Sequence, residues 1–233
     1  MTRKFAISDI HGCLQSFKAL LEQLDLQKTD QLYLLGDYID RGPDSKGVID
    51  YIWHLQEAGY EIYCLQGNHD VMLLRAAKSF TDNISWMQHG GEATLKSFGV
   101  ERATDIPRKY LSFLERLPQV FEIDNYILVH AGLNFRIPDP LEDAVSMLWI
   151  RDWYQAINYN WLGERYIIHG HTPMLRKDIE TMHADFKAKR VLDIDGGCFF
   201  DIPGMGFLSA LELGTHRIYW QPTLDGSRKK PVT

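Results

Sequence analysis

Between positions 9 and 171 lie six residues, Asp9, His11, Asp37, Asn68, His130 and His171, whose carboxylate, amide and imidazole groups each follow a short apolar run. With no sulfur among them they form a hard-to-borderline nitrogen and oxygen donor set, suited to Mn²⁺, Fe or Zn²⁺ rather than to Cu(I) or an iron–sulfur cluster. On an extended segment side chains alternate, so Asp9 and His11 point to one side and meet one ion. Six donors exceed what one transition-metal site with open positions uses, and a shared carboxylate such as Asp37 bridges two ions. Two ions about 3.5–4 Å apart clamp an in-line displacement at phosphorus.

Taken singly, each group has a plainer reading. An isolated Asp-x-His arises by chance, glycine near a strand end marks a turn, and Asp9, Asp37 and Asp44 are all of a type that caps helices. The joint pattern decides. Phe5-Ala6-Ile7-Ser8 runs into Asp9-Ile10-His11-Gly12, and Leu32-Tyr33-Leu34-Leu35 into Gly36-Asp37-Tyr38-Ile39-Asp40-Arg41-Gly42. Glu61 to Leu65 leads to Gly67-Asn68-His69-Asp70, Tyr126 to Val129 leads to His130-Ala131-Gly132, and Tyr166 to Ile168 leads to His169-Gly170-His171-Thr172. Five expected strands thus deliver five polar loops.

Leu14, Phe17, Leu20, Leu21 and Leu24 fall on one helical face, as do Val48, Ile49, Ile52 and Leu55 after a cap at Asp44 or Ser45. Strands alternating with such helices make β-α-β units of an α/β fold, whose ligands bind beyond the carboxyl ends of the strands. Residues around 71–118 read as a mainly helical lid or side lobe broken at Gly90-Gly91, within one domain spanning 1–233. Val120 to Ile123 and Tyr126 to Val129 read as a hairpin. Arg190 to Ile194, Phe207 to Leu211 and His216 to Trp220 read as strands of a second sheet, and the tail from Asp225 to Pro231 as a solvated end.

The 233 residues carry 25 Lys+Arg against 31 Asp+Glu, a formal net charge of −6, which argues against electrostatic capture of nucleic acid or an anionic membrane. An anionic substrate must be attracted locally. Cys13, Cys64 and Cys198 are far apart, so neither a disulfide framework nor a thiolate zinc site is expected. There is no secretory signal and no run approaching the ~18 apolar residues of a membrane span, so a cytoplasmic location is expected. The sequence carries no marker of oligomeric state. Of the other histidines, His89 is placed to approach from the side lobe and His169 to support the His171 loop or fill the core, while His54, His183 and His216 lack supporting context.

In order and in content these blocks resemble the calcineurin-like metallophosphoesterases, and within them the phosphoprotein phosphatases of the bacterial and bacteriophage lambda type. The resemblance spans residues 9 to 172. It implies a central β-sandwich of two mixed sheets flanked by helices, and two divalent metal ions, with Mn²⁺ expected and Fe or Zn²⁺ as alternatives. Asp9, His11 and Asp37 would bind the first ion, and Asp37, Asn68, His130 and His171 the second. A bridging water made acidic by both would attack phosphorus directly. His69 would be the general acid, Asp40 would hold its other nitrogen, and Arg41 would grip phosphate oxygens through its planar fork. Arg151 resembles the second phosphate-binding arginine of this type, with Arg136 as the spare candidate.

Two departures from the family pattern stand out. Gly170-His171-Thr172-Pro173 lacks the second histidine of the broader Gly-His-x-His motif, and Asp70 stands where eukaryotic members carry Glu. Both fit the bacterial phosphoprotein phosphatase type. The resemblance therefore points first to a protein serine/threonine phosphatase, with dual specificity left open, acting on a phosphoprotein or phosphopeptide. The alternative is a symmetrical dinucleoside tetraphosphate hydrolase or a small-molecule phosphatase; that branch generally lacks an acid at the position of Asp40, which favours the first reading. A noncatalytic scaffold is a third, disfavoured because every expected ligand, His69 and Arg41 are intact.

Overall fold

The computed structural model describes residues 2–226. In chain order its elements are β1 (Lys4–Ile7), α1 (Leu14–Gln23), β2 (Gln31–Leu34), α2 (Ser45–Glu57), β3 (Glu61–Cys64), α3 (Asn68–Ala76), α4 (Phe80–Trp86), α5 (Glu92–Phe98) and α6 (Arg108–Glu115). There follow β4 (Val120–Ile123), β5 (Tyr126–Val129), α7 (Ala144–Trp149), α8 (Tyr159–Leu162), β6 (Tyr166–His169), α9 (Arg176–Ala184), α10 (Phe186–Lys189), β7 (Val191–Asp193), β8 (Phe207–Glu212) and β9 (Arg217–Pro222). The strands form two mixed sheets, ordered β3-β2-β1-β8-β9 and β4-β5-β6-β7.

Strand alternation builds the layers. Phe5, Ile7, Leu32 and Leu34 face α1 and α2, where they pack with Phe17, Leu20, Val48 and Ile52. Their neighbours Ala6 and Tyr33 point the other way, joining Leu211 against Tyr126, Leu128, Ile168 and Leu192 of the second sheet. The far face of that sheet, with Ile127, Val129, Ile167 and Val191, is covered by Met147, Trp153 and Leu162. Each such side chain contributes about 1.5–3 kcal/mol relative to exposure, so the sandwich registers are strongly specified. Parallel pairing of β1 with β2 and of β2 with β3 follows from the two intervening helices.

The expected grouping of the last three strands is corrected. Only β7 enters the second sheet, parallel to β6, whereas β8 lies antiparallel to β1 and β9 to β8. The reason is that β8 is apolar on both faces: Leu208 and Ala210 join the helix side, and Leu211 the sandwich interior. A strand of that kind is stable beside β1, between two covered layers. The hairpin of β4 and β5 is as expected. Among the described residues no helix is long and apolar enough to cross a membrane.

The stretch around 71–118 folds as α3 to α6, with a π-helical turn over Met87–Gly91 in which Gly90 adopts φ 106°. Asp44 caps α2 by accepting from the Gly47 N–H. Helix α1 has no side-chain cap of its own at Cys13. Its first N–H groups are met instead by Asp225, whose carboxylate accepts from the backbones of Gln15 and Ser16 at 2.8 Å each. Asp225 is therefore not part of a solvated end; the rest of the expected tail, 227–231, lies outside the described residues. Asp225→Ala should lower stability by about 1 kcal/mol, the usual worth of an N-terminal cap, measured as a shifted urea midpoint with unchanged slope.

Candidate metal centre

The carboxyl ends of β1, β2, β3, β5 and β6 converge, and the loops behind them bring all six expected donors into one buried region. Asp37 lies at its middle. Its Oδ2 is 3.4 Å from His11 Nε2 and its Oδ1 3.6 Å from His130 Nε2. Two tight groups share it: His11, Asp37 and His69 on one side, and Asp9, Asp37 and His130 on the other. The expected partition pairs Asp9 with His11, and His69 enters the closest grouping in its place. Asn68 stands between the remaining imidazoles, with its Oδ1 2.8 Å from His130 Nε2 and 2.8 Å from His171 Nδ1.

Several observations test whether these residues fit a pair of cations. His11 Nδ1 donates to the Ile39 carbonyl and His130 Nδ1 to the Leu35 carbonyl, which assigns each Nε2 a lone pair directed inward. With that tautomer the Nε2 of His130 faces the Asn68 oxygen at 2.8 Å, two acceptors that would both suit a cation's coordination. His171 Nε2 is buried with no hydrogen-bond partner. Burial, then the nearby Arg41 guanidinium, hold the His11 imidazole well below its ordinary pKa, and burial with His130 and Arg151 pulls His171 down to about 2. Both shifts favour the neutral imidazole that a metal ligand must be. Burial raises the Asp37 carboxyl, but His130, His69, His11 and Arg41 outweigh it and leave it well below the carboxylate range. The residues fit two divalent cations on either side of Asp37.

Beside this region His69 Nδ1 donates to Asp40 Oδ2 at 2.7 Å, while its Nε2 accepts from Arg41 Nη2 at 2.9 Å. Sequence reasoning missed what holds Asp40. Thr94 Oγ1 donates to Asp40 Oδ1 at 2.6 Å, and Trp86 Nε1 reaches both carboxylate oxygens at 3.0 and 2.9 Å. Both residues come from the side lobe, and its Gly90 carbonyl accepts from the Arg41 N–H at 3.2 Å. Arg41 also lies over the Phe199 ring at 4.6 Å. Asp70 accepts from the backbone N–H groups of Gly67, Asp37 and Tyr38, tying the second and third loops together.

Of the other expected residues, Arg151 is exposed and donates to Thr172 Oγ1 at 3.1 Å, beside His171. Arg136 is exposed as well. His89 is exposed and bonded to the Ser85 carbonyl, so Gly90, not the histidine, is the lobe's contact with Arg41. His169 is buried behind the donors, between the Tyr154 hydroxyl and the Gly170 carbonyl. Asp193 and Asp195, also missed, are buried nearby, each with an Oδ2 that forms no hydrogen bond, and burial pushes both well above the usual carboxyl range.

Five of the ten non-glycine residues with left-handed backbone among the described residues belong to this region. His11 (φ 46°), Asp37 (52°), Asp40 (70°), Arg41 (68°) and His171 (71°) all occupy the left-handed region without being glycine. Such positions cost of order 1 kcal/mol or more each, and persist where surroundings over-determine them.

A family model described as calcineurin-like phosphoesterase matches residues 3–197. The asymmetrical bis(5'-nucleosyl)-tetraphosphatase PrpE of Oceanobacillus iheyensis is 29% identical over 224 residues, covering 83% of this chain and 83% of that protein. The protein of the same name from Bacillus subtilis is 27% identical, covering 97% of this chain and 98% of its own length. A solved protein serine/threonine phosphatase from Saccharomyces cerevisiae superposes with a TM-score of 0.67 at 15% identity, over 99% of this chain and 82% of that one, a likeness of fold. The expected fold is thus matched, while the relatives similar along most of their length are named not protein phosphatases but tetraphosphatases, the class of the alternative, and asymmetrical where the alternative is symmetrical.

If the side lobe orients Asp40, Trp86→Phe and Thr94→Val should each lower kcat on an alkyl phosphate about tenfold, the worth of one hydrogen bond to a charged group. Loss on an activated aryl phosphate should be smaller, since that leaving group needs less protonation. Steady-state kinetics on both substrates, with circular dichroism as the folding control, measures the difference.

Proposed function

The chain belongs to the calcineurin-like phosphoesterase family, and from that premise we propose that it hydrolyses dinucleoside tetraphosphates asymmetrically, to a nucleoside monophosphate and a nucleoside triphosphate. The observation that carries the reading is the near end-to-end similarity to asymmetrical tetraphosphatases. The buried donor set around Asp37 supplies the chemistry. In this reading Asp9, His11 and Asp37 hold one divalent cation and Asp37, Asn68, His130 and His171 the other, with Mn²⁺ proposed as the metal. When bound, such a pair neutralises phosphate charge and acidifies a water for attack on phosphorus.

The protein groups divide the remaining work. Arg41, held between His11, His69 and Phe199, presents its guanidinium to the oxygens of the reacting phosphate. His69 Nε2 accepts from Arg41 here; once a phosphate takes up that guanidinium and Nε2 binds a proton, the imidazole, its Nδ1–H fixed by Asp40, donates to the departing oxygen. A phosphoanhydride oxygen leaves with little help, whereas an alkoxide depends on that proton. The intact His69–Asp40 dyad is the observation that favours the second reading, a phosphoprotein phosphatase. Presence of an acid at position 40 does not separate the two, because a dyad built for alkoxides also serves an anhydride.

Purified protein with Mn²⁺ should convert a dinucleoside tetraphosphate to equal amounts of mono- and triphosphate on ion-exchange chromatography, and lose all activity in a chelator. Two diphosphates would indicate symmetrical cleavage, and turnover of phosphoserine peptides alone would support the second reading. His69→Asn should reduce hydrolysis of phosphoserine peptides by a factor of about 10² or more, in the usual range for a general acid, and hydrolysis of the tetraphosphate much less.

A further inference from the structure

Arg151, whose guanidinium reaches Thr172 next to His171, lies with Asn134, Phe135, Arg136 and Asp152 in the wall of a cavity of about 220 Å³. The sequence offers Arg136 and Arg151 as alternatives for one role, but the fold brings both to this one space. Neither arginine forms an ion pair among the described residues, and Arg151 touches Thr172 next to His171. In a chain of net charge −6, two unpaired guanidinium groups at one cavity are a local cationic patch. In the proposed reaction Arg41 serves the reacting phosphate from beside His11 and His69. A simple phosphomonoester uses at most one of these two forks beside Arg41, the one expected at Arg151, and leaves Arg136 unused.

The cavity is also rigidly joined to the donors. Gly132, two residues after His130, lies so close to Trp153 that a Cβ there would fall 2.1 Å from the indole nitrogen. That nitrogen donates to the Ala131 carbonyl at 3.2 Å, and Phe135 stacks on the same indole at 5.9 Å between centroids. The Asn134 Nδ2 donates to Asp143, the cap of α7, and its Oδ1 accepts from the Arg136 N–H. The loop that carries Arg136 is therefore braced, and its position follows that of His130.

We propose that this cavity is a subsite for the part of a nucleoside polyphosphate that lies beyond the reacting phosphate, with Arg151 at its inner edge, in the role the resemblance gives it, and Arg136 taking the adjacent phosphate. Asp152, in the same wall, repels a bare phosphate but accepts from ribose hydroxyls, so it selects a nucleotide over inorganic polyphosphate. The subsite rests on the tetraphosphatase reading and deepens it, because it measures the length of the phosphate chain.

The test uses the intact Mn²⁺-loaded protein, at fixed free metal, with an aryl phosphate as reporter and inorganic tripolyphosphate or ATP as inhibitor. Arg136→Ala should raise the inhibition constants of both, and the KM for a dinucleoside tetraphosphate, about tenfold more than it raises the KM for the aryl phosphate, with Arg136→Lys in between. Asp152→Asn should narrow the preference for ATP over tripolyphosphate. If wild-type protein turns over the tetraphosphate but Arg136→Ala shifts every constant by the same factor, the subsite is wrong and the function stands. If wild-type protein leaves the tetraphosphate intact while tripolyphosphate inhibition still depends on Arg136, the function is wrong and the polyphosphate site stands. Inhibition indifferent to Arg136 overturns the subsite in either case.

Discussion

Burying a carboxylate where two sheets meet is the constraint on which the rest of this structure turns. Asp37 is sealed from water with Asp9 and Asp40 nearby, and a charge so placed is tolerable only among cationic or donating partners. Imidazoles from the first and fourth loops approach its two oxygens, and the His69 N–H donates to it at 2.9 Å. The backbone yields to this arrangement. Gly67 passes so near Asp37 that a Cβ would sit 2.2 Å from its backbone nitrogen and its Oδ1, so the third loop must present glycine at that point. The sandwich architecture follows the same logic, because parallel strands from both sheets end on one side and bring their loops together.

Much of this is written in short-range pattern. Asp9 with His11, Asp37 with Asp40 and Arg41, and Asn68 with His69 each lie within a few residues of a strand end, so alternation and glycine punctuation suffice to place them. What escaped depends on contacts between distant segments. Trp86 and Thr94 lie 46 and 54 residues from Asp40, in a stretch whose apolar spacing reads simply as helix. Asp225 meets α1 from 210 residues away, and β8 chooses β1 over β7 through the burial of both its faces. Nothing local encodes such pairings.

Substrate identity was hidden for a different reason. The motif residues describe chemistry at phosphorus, which a phosphoserine and a phosphoanhydride share. Residues that tell these apart contact what lies outside the reacting group, and in an exposed loop they look like ordinary surface charge. Arg136 is such a residue: only its placement beside Arg151 distinguishes it from other exposed arginines. The side lobe contributes in a complementary way, since it reaches Asp40 and Arg41 through Trp86, Thr94 and Gly90 and so shapes the dyad without lining the metal region.

The left-handed backbone at His11, Asp37, Asp40, Arg41 and His171 leaves a mark on how this chain can change over time. At each of these positions glycine, and to a lesser degree asparagine, relieves steric cost, so mutation offers a stabilising exit that removes a working side chain. A lineage freed from selection for turnover would drift through those exits first, gaining robustness as it lost chemistry. All five are held instead by acid, imidazole or guanidinium, so at these positions the chain gives up backbone ease for the side chains that face the donor region.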